Sequence, residues 1–292
     1  MLTHEVCTQT NLTKKAIEYY IGQGLLSPAL SDNGYRDFNE ENIECLEKIS
    51  ALRKLGLGIE EIRTVLNDNT NTVLQKLSVK KELTIQKERK KKQIMEKLQT
   101  DMDYSKIKED LEALDQNATI AERLLDSFPG YYGRLICLHF ARFLNEPAST
   151  EEQKEAYQEI LSFLDNVPDM EFPKDVAEYL DETMNNISSG QIGEMIDNTK
   201  KAIEDPEKFL SENKEFLEYY YEFLQSDEYK NSPAYKFKNL LAEFNRSSGY
   251  YDIFLPAMKK LSPAYAEYCR QSELANKKLL KQYPYAGDLH TE

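Results

Sequence analysis

The chain has 292 residues, 37 Lys+Arg against 51 Asp+Glu, a formal net charge of −14 and 40% hydrophobic residues. That is long for one compact helical domain and comfortable for two. It holds no long apolar run, and Thr3, His4 and Glu5 interrupt its first residues, which excludes a membrane span or a signal peptide and points to the cytoplasm.

Residues 1–69 read as short helices broken by turns. Val6, Leu12 and Ile17 are the apolar positions of the first two helices, with Asn11 between them at a turn that favours the left-handed conformation. Thr13 is placed to cap the second helix, and Gly22 and Gly24 to end it. Asp32-Asn33-Gly34, followed by Tyr35 and Phe38, predicts a hairpin wing. Asn39 with Asn42 opens a third helix on which Ile43, Leu46, Ile49, Leu52 and Leu55, with Ala51 more weakly, recur at helical spacing. After Gly56 and Gly58, the residues Ile59, Ile62, Val65 and Leu66 form one face of a fourth helix.

The next stretch changes character. Residues 71–100 carry nine Lys/Arg against three Asp/Glu, with no Gly or Pro, and sparse apolar positions at Val73, Leu77, Leu83, Ile94, Leu98 and, just beyond, Met102. So polar a helix cannot be held by a core of its own, so it predicts a dimerising helix with a narrow apolar seam or a solvated spacer. From about residue 104 the pattern is helical throughout. Asp205-Pro206, Ser232-Pro233 and Ser262-Pro263 each put a capping oxygen before a proline at the first helical position, and Thr150 with Gln153 fits a capping box. Pro129-Gly130, Asn145-Glu146-Pro147, Pro168, Pro173 and Ser188-Ser189-Gly190 break the chain between periodic stretches. This remainder holds the acidity: residues 101–292 have 21 basic against 37 acidic side chains, whereas residues 1–100 have 16 against 14. Such a segment is repelled from phosphate and attracts cations.

LTKKAIEYYIGQGLLSP, DNGYRDF and ENIECLEKISALRKLGLGIEEIRTVL, followed by a long polar helix, stand in the order of a known pattern. The combination resembles the MerR family of transcription regulators. Tyr19-Tyr20, Gly24-Leu25-Leu26, Gly34-Tyr35-Arg36 and Leu55-Gly56-Leu57 carry the likeness, which covers about a third of the chain. The resemblance implies a winged helix-turn-helix that binds double-stranded DNA, a coiled coil that makes a homodimer, and promoter distortion that RNA polymerase exploits. It places Thr13, Lys14, Lys15, Tyr20, Tyr35 and Arg36 at the DNA, with Tyr20 on a phosphate, Arg36 holding the backbone from the wing, and Tyr19 facing the core. Lysine supplies a mobile charge, arginine a fork for phosphate oxygens and tyrosine a neutral donor. Two positions depart from the family pattern. Glu18 stands where arginine is usual, which would cost on the order of 1–3 kcal/mol per lost contact, and Asn11 replaces a turn glycine.

No metal or other cofactor is expected. Cys7, Cys45, Cys137 and Cys269 are scattered, and the cysteines that metal-sensing members place beside the long helix are missing between Cys45 and Cys137. FPGYYGRLICLHFARFL, 128–144, is the expected central core helix, with Leu135, Leu138 and Phe143 near one face and Ile136, Cys137 and Phe140 around them. His139 within it has no acid–base partner or nucleophile motif, so an enzyme is not expected. Sixteen of the nineteen tyrosines lie beyond residue 100. Aromatic faces beside carboxylates suit an organic cation, so Tyr219, Tyr220, Glu222, Tyr250, Tyr251 and Asp252 are the candidate ligand residues. The reading is a mainly α chain: residues 1–69 a MerR-like winged helix, 70–110 a dimerisation helix, and 111–292 an all-helical regulatory domain for a small organic ligand, a lipophilic cation being one candidate. Two rival readings are a protein-interaction module with weakened DNA binding and a constitutive regulator with a structural C-terminal domain.

Overall fold

The computed structural model describes residues 1–31, 34–68, 72–100, 103–128, 130–144, 148–184 and 186–284. The turn residues Asp32 and Asn33, the seam residue Met102, the breakers Pro129 and Asn145-Glu146-Pro147, and the chain beyond 284 lie outside the described residues. The fold is mainly α, and the chain divides into two compact units, Met1–Leu74 and Gln75–Glu292.

The first unit runs α1 (Thr3–Thr10), α2 (Lys14–Gly22), β1 (Ala29–Leu30), β2 (Arg36–Asp37), α3 (Glu40–Lys54) and α4 (Ile59–Leu66). Asn11 ends α1 at φ 54°, ψ 33°, the left-handed conformation its short polar side chain tolerates. The Thr13 hydroxyl oxygen accepts the Ala16 N–H at 3.2 Å and caps α2. Gly24, at φ +68°, turns the chain out of α2, a conformation a β-carbon would strain. Strands β1 and β2 pair antiparallel, Ala29 opposite Asp37 and Leu30 opposite Arg36. Asn39 and Asn42 cap α3 reciprocally. Val6, Ile17, Tyr20, Leu25, Phe38, Leu46, Ile49 and Ile62 form one core that ties α1 to α4 and the wing together. Ala51 and Leu55 do not join it: Leu55 follows the last turn of α3, and both are exposed.

Helix α5 (Thr72–Thr100), which lies in the second unit from Gln75 onward, is followed by α6 (Tyr104–Ser127), which Asp103 caps through the Ser105 and Lys106 N–H groups. The boundary expected at 110/111 therefore falls inside α6. The two helices run antiparallel, linked by Lys76 and Lys80 to Asp126 (2.8 and 3.3 Å), Lys87 to Asp115 (2.7 Å) and Lys97 to Asp110 (3.9 Å). Val79 and Leu83 of α5 reach the main core of this unit. Part of the apolar seam expected to wait for a second protomer is thus already covered by the chain's own α6.

Next come α7 (Gly130–Ala141), α8 (Glu151–Asn166), α9 (Lys174–Tyr179) with a π-helical turn Leu180–Met184, α10 (Ser189–Glu204), α11 (Pro206–Glu212), α12 (Lys214–Gln225), α13 (Asp227–Lys230), α14 (Pro233–Ser247), a π turn Tyr250–Phe254, α15 (Leu255–Leu261) and α16 (Pro263–Gln282). The proline-led starts are as read: Asp205, Ser232 and Ser262 each accept a backbone N–H of the first turn of α11, α14 and α16. The main core joins α6, α7, α8, the second π turn, α15 and the start of α16. Helix α7 is buried on two sides: Tyr132, Ile136, Cys137 and Phe140 enter the main core, while the expected Leu135 and Leu138 are partly buried with Tyr131 against Ile192 and Ile196 of α10, and Phe143 lies past the end of the helix. Gly133 explains how close α7 comes to the end of α6: a β-carbon there would meet the Phe128 carbonyl oxygen at 2.0 Å. No helix among the described residues is long and apolar enough to cross a membrane.

Candidate nucleic-acid interface

Helix α2 has a buried face and an exposed one, and its spacing decides which residues reach outward. Ile17 and Tyr20 are three apart, so they share a face, and both are buried, Tyr20 at 8% exposure. Lys14, Lys15 and Glu18 lie on the open side, and Tyr19 is 50% exposed with its ring 5.9 Å from that of Tyr20. This reverses the sequence expectation for the pair. Tyr20, expected on a phosphate, packs in the core because the Ile17 face continues through it. Tyr19, expected in the core, is the ring available outside. The signal lay in the three-residue step from Ile17.

The wing presents its own pair. Tyr35 is 65% exposed and Arg36 is partly exposed. The residues that flank its turn are tied by backbone and side chain together: the Ser31 N–H and hydroxyl both donate to the Tyr35 carbonyl (2.8 and 2.7 Å), and the Gly34 N–H donates to the Ser31 carbonyl (2.8 Å). Phe38, just after β2, is buried in the core that holds Ile17 and Tyr20, so wing and helix share one support. Thr13 spends its side-chain oxygen on the cap of α2, where its role is to position the helix start.

Two features were not foreseen. The Arg63 Nη2 donates to the Gln23 carbonyl at 2.8 Å, just past the end of α2, while Nε approaches Glu60 at 3.2 Å. Arg63 thereby fastens α4 to the exit of α2. It is forty residues distant in sequence, which local pattern cannot reveal. The second is the fate of Glu18, which lies 3.8 Å from Lys14 on the same exposed face. The carboxylate therefore subtracts from the charge that Lys14 offers to a phosphate.

A surface of this make-up, with a short exposed helix bearing two lysines and a tyrosine beside a turn bearing a tyrosine and an arginine, offers donors and positive charge to phosphate oxygens. The comparisons agree on what kind of chain carries it. The MerR HTH family regulatory protein model matches residues 1–69. The HTH-type transcriptional regulator CueR of Escherichia coli O6:H1 is 31% identical over 97 residues, covering 33% of this chain and 71% of that relative. The chain belongs to the MerR family. The HTH-type transcriptional regulator CueR of Salmonella typhi is 36% identical over 64 residues, 22% of this chain and 46% of the relative. The HTH-type transcriptional regulator AdhR of Bacillus subtilis is 37% identical over 73 residues, 24% and 52% respectively. The chain spans about half the length of the first curated relatives it matches. No solved structure matches it. The MerR family model ends at residue 69, so the whole of the second unit lies beyond it.

In that second unit the candidate ligand residues fall in different surroundings. Tyr219 (70% exposed), Tyr220 and Glu222 lie on the open side of α12, whose other side packs Leu217, Tyr221 and Leu224 against Leu210 and Tyr283. Tyr250, Tyr251 and Asp252 lie on the second π turn, with Tyr250 packed on the main core and Tyr251 and Asp252 outward. Burial pushes the Tyr250 hydroxyl well above its ordinary range. No cavity among those described draws the two groups together. His139 is ringed edge-on by Phe140, Phe143 and Tyr268 at 5.0, 5.5 and 5.5 Å. Burial, with a smaller contribution from Arg142, pushes its imidazole down to about 4. Cys137 donates to the Ala121 carbonyl at 3.2 Å, and burial pushes its thiol up to about 12, so it serves as a core residue. Arg134 is 2% exposed and donates to the Ile187 and Met184 carbonyls at 2.6 and 3.3 Å, which pins that corner to α7.

Proposed function

We propose that this chain is a DNA-binding transcriptional regulator that acts as a homodimer on a pseudo-palindromic promoter site. In this reading the helix-turn-helix and wing of residues 1–69 hold double-stranded DNA, with Lys14 and Lys15 at the groove, Tyr19 in place of Tyr20 at the backbone, and Tyr35 and Arg36 contacting it from the wing. Residues 70–110 pair the two protomers, and residues 111–292 receive a small organic ligand. Ligand binding changes the angle between protomers and so the twist of the promoter presented to RNA polymerase. Distortion of this kind costs a few kcal/mol, and the ligand must prefer the activating geometry by a similar amount.

The observation that carries the reading is the sorting of α2 and the wing: Lys14, Lys15, Tyr19, Tyr35 and Arg36 are outside, while Ile17, Tyr20 and Phe38 hold them from within. The Lys14–Glu18 pair and the excess of acidic over basic residues in 1–70 (11 against 7) favour modest affinity per half-site. They also motivate the second reading, a protein-interaction module whose DNA binding has decayed. Footprinting on the DNA upstream of its own gene, and on a pool of fragments from the same genome, separates the two. The regulator protects a two-fold site of paired half-sites. A folded protein that protects no fragment of the pool at moderate salt is not a DNA-binding regulator, and the interaction reading replaces it.

A further inference from the structure

The second unit contains a cleft of about 500 Å³ between α10, α11 and α16, lined by none of the tyrosines singled out above. Its walls follow from helical spacing. On α16, Ser272, Ala275, Asn276 and Leu279 stand at i, i+3, i+4 and i+7 and face it together; on α10, Thr199, Ala202 and Ile203 do the same. Ala202 and Ala275 are small where the two helices line the space, so the centre is left open. Phe209 of α11 closes one side. Asp205-Pro206 makes this possible by ending α10 and starting α11 in one step, and the Lys278–Glu207 ion pair at 2.7 Å links α11 to α16.

The lining chemistry selects a ligand class. No lysine or arginine lines the cleft, and its one carboxylate, Glu273, has the Lys259 ammonium 4.0 Å away. An anion would meet no cation in the walls and a surrounding segment with 37 acidic against 21 basic residues. A cation would find a single carboxylate, shared with Lys259 and open to water that screens it. Ser272 and Asn276, in contrast, offer side-chain hydrogen-bonding groups that take no partner among the described residues. The volume is that of a site for a drug-sized molecule, with mainly apolar walls and a few convergent polar groups. We infer that this cleft binds an uncharged, apolar organic molecule carrying at least one hydrogen-bonding group, oriented by Asn276 and Ser272. This deepens the regulator reading, on which it rests for the ligand's purpose but not for the ligand's fit.

The test uses the full chain and N-phenyl-1-naphthylamine, an uncharged two-part aromatic amine whose fluorescence rises in apolar surroundings. The expected result is saturable binding of one probe per chain. It should weaken by at least about tenfold in Ala275→Trp and in Ala202→Phe, each of which fills the cleft. The anionic 8-anilinonaphthalene-1-sulfonate should bind at least about tenfold more weakly to the wild type. The variant Phe216→Ser, on the exposed aromatic side of α12, should bind the neutral probe as the wild type does. Circular dichroism and melting establish which filled variant is folded, and one folded variant is enough. Equal binding by a folded filled variant, loss of binding in the α12 variant, or equal binding of the anionic dye overturns the assignment. Repeating the footprint with probe bound separates the two readings. A probe held in the cleft that leaves the footprint unchanged keeps the site and refutes its effector role. A footprint altered by other molecules, with no probe in the cleft, keeps the effector role and refutes the site.

Discussion

Tyr19 and Tyr20 are neighbours, yet α2 sends one ring outward and buries the other, and the difference is set by their offset from Ile17. A helical residue three positions after a buried one shares its face; the residue between does not. At the same scale His139 makes a quantitative prediction. Its imidazole titrates near 6.5 in an unfolded chain and near 4 in the folded one, because burial disfavours the charged form. Between those values the unfolded chain binds more protons. This group's contribution is therefore fully present above about pH 6.5 and is lost as pH falls toward 4, up to about 3 kcal/mol. Urea unfolding of the wild type and His139→Leu across pH 7 to 4.5 checks this. The wild type should lose stability faster on acidification than the variant. Parallel profiles would mean that His139 is not held neutral by its aromatic ring of neighbours.

Elements divide into those whose cause is local and those whose cause is not. The starts of α8, α11, α14 and α16 were legible because a capping oxygen, and in three cases a proline, act within one turn. The pairing of α5 with α6 was not, because it depends on lysines meeting Asp110, Asp115 and Asp126 across a helical hairpin. The main-core side of α7 was not singled out for the same reason: in an almost wholly apolar helix, periodicity does not say which side meets α8 and α15. The cleft of α10, α11 and α16 escaped notice because its walls come from segments some seventy residues apart, and alanines at its centre carry no chemical signal. The close pass of α6 and α7 is a feature of this scale that can be tested. Alanine in a helix ordinarily gains about 1 kcal/mol over glycine. Gly133→Ala should instead destabilise by about 1–3 kcal/mol or more, because the added carbon meets backbone rather than a flexible side chain. A Gly133→Ala protein with an unchanged or higher urea midpoint would show that the two helices separate at little cost.

For the whole molecule, charge organises the account. The acidity is concentrated beyond residue 100, while the first unit carries only seven basic residues, of which Lys14, Lys15 and Arg36 stand on α2 and the wing. A protein of this balance holds DNA through a small number of contacts, so its affinity depends less on salt than that of a strongly basic regulator. The measurement that tests this most directly is the salt dependence of binding to a labelled duplex carrying the protected site, for the wild type and for Arg36→Ala. If the wing arginine holds a phosphate in each protomer of a dimer, Arg36→Ala weakens binding and makes the log–log slope shallower by about two, roughly one per lost contact. An Arg36→Ala protein with the wild-type affinity and the wild-type slope would contradict the assignment of this surface to DNA.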